Sequence, residues 1–147
     1  MKIHVFDLDG TLVDSSHRYK TVQGKIDLEH WIKNSNKVLK DEPLPMAHLF
    51  RELLKDSNNF VVIATARVWC ELSDLFLELH NLVPHALIAR TEGDSTPGAR
   101  LKLDGLKKLN LPDEAEYHIY EDNIEYLKTL MFELDGVGHY CPSNQGH

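Results

Sequence analysis

Apolar residues along this chain fall into two alternating patterns. Short unbroken runs at residues 2–6 (Lys-Ile-His-Val-Phe) and 60–65 (Phe-Val-Val-Ile-Ala-Thr) have the length and β-branched content of buried strands. Residues 86–89 and 117–120 are shorter runs of the same kind, and 136–140 predicts a fifth strand. Between these runs the spacing becomes helical. Met46, Leu49, Phe50, Leu53 and Leu54 fall at i, i+3, i+4, i+7 and i+8. Trp69, Leu72, Phe76 and Leu79 form a second stripe, and Ile124, Leu127, Met131 and Leu134 a third. Residues 99–109 predict a fourth helix, ended by Asn110-Leu111-Pro112-Asp113.

Strands alternating with helices of this length imply an α/β fold of three layers, a Rossmann-like parallel sheet with helices on both faces. Ligands of such sheets bind in the crevice beyond the carboxyl ends of the strands. Residues 15–44 break the alternation. They hold Lys20, Gly24, Lys25 and a helix predicted to start at Asp27 as N-cap, and Pro43 and Pro45 mark the return to the main pattern. This segment reads as a small, cap-like helical insertion after the first strand of a single domain, 1–147. His17, Arg18, Lys20 and Trp31 are expected near the mouth of the crevice.

Composition narrows the function classes. A chain of 147 residues with 42% hydrophobic and 27% charged residues is large enough to bury a single globular core. No apolar run approaches the roughly 20 residues that span a bilayer. The first residues lack a basic stretch followed by an apolar one, so no secretory leader is expected. Cys70 and Cys141 are far apart and match no metal pattern, as in a reduced, cytoplasmic protein. The net charge of −7 disfavours an extended surface for duplex nucleic acid, because neutralising phosphates drives such binding. A small phosphate ester or a strand end remains compatible. The nine histidines are dispersed and read as surface or packing residues.

The chemistry is concentrated where the predicted strands end. The first strand runs into Asp7-Leu8-Asp9-Gly10-Thr11. An Asp7 carboxylate can attack phosphorus and divide one hard hydrolysis into two displacements. Asp9 is placed to protonate the leaving oxygen and then to serve as base for water, a role that asks for a raised proton affinity. Attack of an anion on an anion needs charge compensation, which Mg²⁺ supplies. After the turn at Gly10 the Asp9 backbone carbonyl offers such an ion a hard oxygen ligand. Two Asp before a Gly are also ordinary turn chemistry. Thr65, with Ala66 and Arg67, follows the second strand and offers a hydroxyl and backbone N–H groups to a phosphoryl oxygen, although a Thr there also suits a helix cap. Lys102 offers a countercharge to Asp7 and to the phosphoryl group. Glu121 and Asp122 close the fourth strand, where adjacent carboxylates are costly unless solvated or paired with a cation.

In this order, Asp-x-Asp, Thr, Lys and an acidic pair resemble the haloacid dehalogenase (HAD) superfamily of phosphotransferases. The resemblance implies a HAD-like fold, Asp7 as nucleophile, Asp9 as acid/base and Mg²⁺ as cofactor. It makes Thr65 and Lys102 phosphate-site residues, and Asp122 with Glu121 the metal-site acids beside Asp7 and Asp9. Glu121 departs from the commoner Asp at that place and its extra methylene leaves its ligation open. More narrowly, Arg90-Thr91-Glu92-Gly93-Asp94, Lys102, Asp122 and Thr65-Ala66-Arg67 resemble the 3′-phosphatase domain of phage-type polynucleotide kinase. Ser16-His17-Arg18 and Asp27…Trp31 are similar to its stand-alone members. This resemblance implies that Arg67 and Arg90 help hold substrate phosphate or position the nucleophile; Arg90 also has Glu92 and Asp94 as structural partners. No Gly-x-x-x-x-Gly-Lys-Ser/Thr occurs, so no kinase half is expected.

The expected activity is a Mg²⁺-dependent phosphomonoesterase acting on a nucleotide or on a nucleic-acid 3′-end. The narrower resemblance favours the 3′-end, whereas the acidic charge and small insertion favour a mononucleotide. A catalytically degenerate binding or regulatory relative and a phosphotransferase to an acceptor other than water are the alternatives. Trp31 either stacks on a base or packs the insertion helix on the core.

Overall fold

The computed structural model describes residues 1–18, 21–22, 25–26 and 35–143. Strand β1 (Lys2–Phe6) is followed by β2 (Val13–Asp14), a 3₁₀ turn (Ser16–Arg18), β3 (Thr21–Val22), β4 (Lys25–Ile26), a 3₁₀ segment (Ser35–Lys40) and β5 (Glu42–Pro43). Helices and strands then alternate as α1 (Met46–Leu54), β6 (Asn59–Val68), α2 (Glu71–Leu79), β7 (Ala86–Arg90), α3 (Gly98–Lys108), β8 (Glu116–Glu121), α4 (Ile124–Leu134) and β9 (Val137–Tyr140).

The main sheet has the order β7-β6-β1-β8-β9, and all four pairings are parallel. The chain winds outward from β1 through β6 and β7, then crosses back to add β8 and β9 on the other side. The order reverses between β1 and β8, and sheets of this kind bind ligands beyond the carboxyl ends of the strands at that reversal. Side chains of the central strands divide between two cores at a period of two. Phe6, Val61, Ile63 and Tyr120 meet Phe50 of α1 and Phe76 and Leu77 of α2. Ile3, Val5, Val62 and Ala64 meet Leu106 of α3 on the opposite face. Ile119 extends that face with Leu103, Leu127 and Leu130. Burial on both faces explains why these strands read as continuous apolar runs. Each large apolar side chain removed from water contributes roughly 1.5–3 kcal/mol.

Several boundaries differ from expectation. The second strand does not end at Thr65 but continues to Val68, and its pairing with β7 shifts register between Ala64 and Val68. That bulge places Thr65, Ala66 and Arg67 at the crevice. Trp69 precedes α2 instead of forming part of its stripe, because its backbone N–H donates to Arg90 O and its indole to Asp74. Leu49, Leu79, Ile124 and Met131 also belong to predicted apolar stripes yet are exposed. Within the insertion, β2 pairs antiparallel with β5 at the base, and β3 with β4. Lys20, Trp31 and the helix expected from Asp27 lie outside the described residues.

Candidate active site

Strand pairing brings the acidic residues together. The Asp7 N–H donates to Tyr120 O at 2.9 Å, so Asp7 sits beside the last residues of β8. Oxygens of Asp7, Glu121 and Asp122 lie within 4.8 Å of one another, and all three residues are buried. Lys102, on the first turns of α3 and 1% exposed, reaches Asp7 Oδ1 at 3.0 Å and Glu121 Oε2 at 2.7 Å. Its ammonium lies 5.3 Å from the centre of the Tyr126 ring. Burial opposes the Lys102 charge, but Asp7 and Glu121 outweigh it and raise its proton affinity. Burial and then the adjacent Asp7 push the Glu121 carboxyl up to about 9, against the pull of Lys102. Repulsion from Asp7 thus adds to burial in raising Glu121, and a cation would relieve the crowding of three carboxyl groups around one ammonium. The cluster's hard oxygen donors fit a divalent cation of the Mg²⁺ or Ca²⁺ type. Gly10 permits the approach: its φ is +84°, and a Cβ there would lie 2.2 Å from Asp122 Oδ2.

Glu121 serves Lys102 first. One of its oxygens takes the ammonium and the other accepts the Asn123 N–H at 3.2 Å. Asn123 also caps α4, accepting from the N–H groups of Glu125 and Tyr126. Two further hydroxyls complete the rim: Thr11 Oγ1 donates to Asp7 Oδ2 at 3.5 Å, and Ser143 Oγ to Asp122 Oδ2 at 2.7 Å.

Asp9 points into a second cluster. Arg67 donates Nε to Asp9 Oδ2 at 3.1 Å and Nη2 to Asp9 Oδ1. Ser15 Oγ donates to Asp9 Oδ1 at 2.7 Å. The same Arg67 Nη2 reaches Asp41 Oδ2 at 3.2 Å, and Nη1 reaches Ser73 Oγ at 3.2 Å. Asp41 in turn receives Arg18 Nε at 2.9 Å, Arg18 Nη2 at 3.1 Å and His17 Nε2 at 2.7 Å. Burial by itself raises the Asp9 carboxyl, but the Arg67 guanidinium outweighs burial and holds it below the usual carboxylate range. This is the reverse of the raised affinity anticipated from the sequence.

The remaining sequence candidates are held by further contacts. Arg18 is buried against Asp41, not at the mouth of the crevice, because the insertion needs a partner for that carboxylate. Arg67 directs its fork at Asp9 and Asp41. Arg90 donates Nε to Ala66 O at 2.9 Å and Nη1 to Asp94 O at 2.7 Å, so it braces the bulge against the following loop. Thr65 is buried, and its hydroxyl accepts the Arg67 N–H at 3.0 Å. Ser15, Asp41, Tyr126 and Ser143 were not singled out by sequence reasoning. Ser15 lies six residues after Asp9, close enough to have been suspected; Asp41 carried no signal.

Residues 1–90 match the family model described as bacteriophage T5 5′-deoxynucleotidase. The chain belongs to that family. It is 28% identical over 139 residues to the 5′-deoxynucleotidase of Escherichia phage T5, an alignment covering 90% of this chain and 53% of the relative. The chain therefore spans about half the length of that curated relative. Among solved structures, a chain of the Pnkp1/Rnl/Hen1 RNA repair complex superposes with a TM-score of 0.73 at 16% identity, over 97% of this chain and 42% of that one. A haloacid dehalogenase-like family hydrolase from Streptococcus pneumoniae gives a TM-score of 0.69 at 13% identity, over 98% of this chain and 88% of that one. The fold is therefore that of haloacid dehalogenase-like hydrolases. No helix among the described residues is long and apolar enough to cross a membrane.

Proposed function

We propose that this chain is a Mg²⁺-dependent phosphomonoesterase that hydrolyses a 5′-deoxynucleoside monophosphate through an aspartyl-phosphate intermediate. The observation that carries the reading is the buried group at the switch point, Asp7 with Lys102 on one oxygen and Glu121 and Asp122 beside it. The phage T5 relative supports the nucleotide as substrate. The free thiols Cys70 and Cys141 suit a reducing cytoplasm.

An Asp7 carboxylate oxygen forms a bond to phosphorus as the ester P–O bond breaks. The ester oxygen keeps the electron pair and takes a proton from Asp9. Water then attacks phosphorus, Asp9 accepts the proton, and phosphate leaves as the Asp7 carboxylate is restored. Asp9 is held as an anion in the resting site. A phosphate dianion arriving beside it raises its proton affinity, so it takes up one proton from solvent before the P–O bond breaks. The proton it later receives from water resets it. Lys102 neutralises Asp7 and the equatorial oxygens, and Thr65 and the Ala66 N–H offer further donors to the phosphoryl group. Arg67 orients Asp9, and Arg90 supports the bulge that carries Thr65. Mg²⁺ held by Asp7, Asp122 and the Asp9 carbonyl, with Glu121 behind them, supplies the remaining charge compensation when bound.

The test is kcat/KM with Mg²⁺ for a 5′-deoxynucleoside monophosphate, a 3′-phosphorylated oligonucleotide and a sugar phosphate. The mononucleotide should be the best substrate, and Asp7→Asn should reduce its hydrolysis to background. An Asp7→Asn protein as active as the parent refutes the mechanism. Preference for the oligonucleotide moves the substrate to nucleic-acid 3′-ends, as the narrower sequence resemblance suggests.

A further inference from the structure

Asp41 lies on the return leg of the insertion, between the 3₁₀ segment and β5, and is 3% exposed. Its carboxylate joins three parts of the chain. His17 and Arg18 bind it from the outgoing leg, and Arg67 from the β6 bulge. A single atom, Arg67 Nη2, donates both to Asp41 Oδ2 and to Asp9 Oδ1. The guanidinium is planar and rigid, so a pull on that atom fixes the whole fork, including the Nε bond to Asp9 Oδ2.

We infer that Asp41 is a positioning residue for the Asp9 carboxyl, acting through Arg67, so that the base of the insertion sets how the leaving group is protonated. The inference rests on the acid role given to Asp9 above. Ser73 anchors Arg67 on the far side of the fork. Without Asp41 the shared Nη2 loses its pull away from Asp9, so the fork shifts toward Asp9 and carries its carboxyl away from the ester oxygen. A small angular error at a proton donor is costly, because the proton must transfer as the P–O bond breaks.

The experiment compares two phosphate esters in the full chain with Mg²⁺. A 5′-deoxynucleoside monophosphate has an alkoxide leaving group that needs the proton, whereas p-nitrophenyl phosphate releases a phenolate that needs little help. kcat/KM reports steps up to loss of the leaving group and excludes the later attack of water. Asp9→Asn should lower kcat/KM for the nucleotide by about 10²-fold or more, and for p-nitrophenyl phosphate by far less. Asp41→Asn should show the same selectivity, with a nucleotide loss of about tenfold or more. In the Asp9→Asn background it should add less than about threefold. Equal losses on both esters, no loss, or full additivity with Asp9→Asn would overturn the inference. If Asp41→Asn does not fold, Asp41→Glu keeps the charge and moves Arg67 by one methylene. It should give a smaller loss of the same selectivity, and equal losses again count against the proposal. An Asp9→Asn protein that loses both esters equally removes the acid role itself, which separates failure of that reading from failure of the inference.

Discussion

Two buried charge clusters stand side by side at the carboxyl end of β1, and their charge balances differ. Around Lys102, three carboxyl groups crowd one ammonium, and burial together with repulsion from Asp7 already raises Glu121. Around Arg67, Asp9 and Asp41 face two guanidiniums, Arg67 and Arg18, with His17 at the edge. A buried cluster with matched charges and filled donors has no need of an added ion, and its bonds fix side-chain positions. A cluster with excess negative charge gains from a cation and from any group that disperses charge. Residues Asp7 and Asp9 are two apart, a spacing that a continuous strand would leave on one face. Yet they are sorted into these two surroundings because β1 ends at Phe6 and the chain turns at Gly10. The comparison teaches that one site combines a demand for a cation with a rigid support for proton transfer.

The largest expected effect comes from breaking the unbalanced cluster. Lys102→Met should lower kcat/KM for the nucleotide by about 10²–10³-fold, since a preorganised charge at the transferring phosphoryl group is lost. Steady-state kinetics check this, and a loss below about tenfold would erase the distinction between the clusters. Next, Arg67→Lys keeps a charge but not the fork. It should cost about 1.5–3 kcal/mol in urea unfolding while leaving Mg²⁺ binding unchanged. Metal linkage sharpens the contrast further. Mg²⁺ at tenfold its Kd should stabilise the parent and Arg67→Lys by about 1.4 kcal/mol in thermal unfolding, and Asp122→Asn should lose that gain. An undiminished gain in Asp122→Asn would move the ion elsewhere.

The smallest effect belongs to neither cluster. His4 stacks on His118, which stacks on His139, and His4 also bonds Tyr120 and Asn59. Burial lowers the proton affinity of His4 and His139, and repulsion from His118 adds to it. The unfolded chain then binds more protons than the folded one below about pH 6.5. Stability should be full above that pH and should fall as pH drops through the folded-state values. His4→Asn should flatten the acid limb of a Tm-against-pH curve, and an unchanged limb would remove the histidine row as its source.

Much of the fold was legible because each element repeats a periodic signal. The apolar runs of β1 and β6 and the stripe of α1 are local patterns, and burial on two faces made them strong. Boundaries were less legible where hydrogen bonding with distant residues decided them. Val68 stays in β6 because it pairs with Arg90 after a bulge, a fact that no local pattern records. Leu79 and Ile124 read as core residues from spacing alone, yet both are exposed.

The site divides along the same line. The sequence by itself determined the kinds of groups present and their order: carboxylates after β1 and β8, a hydroxyl after the buried part of β6, and a lysine on α3. It also determined that strand ends would bring them near one crevice, because parallel sheets place all those ends on one side. Only the tertiary structure decided their pairing. Lys102 takes Asp7 and Glu121, and Arg67 takes Asp9 and Asp41, because partners 95, 19, 58 and 26 residues apart are chosen by which side chains meet at one depth in the fold. Sequence spacing carries no information about such meetings, and burial makes each one strong enough to fix the chemistry of its carboxylate.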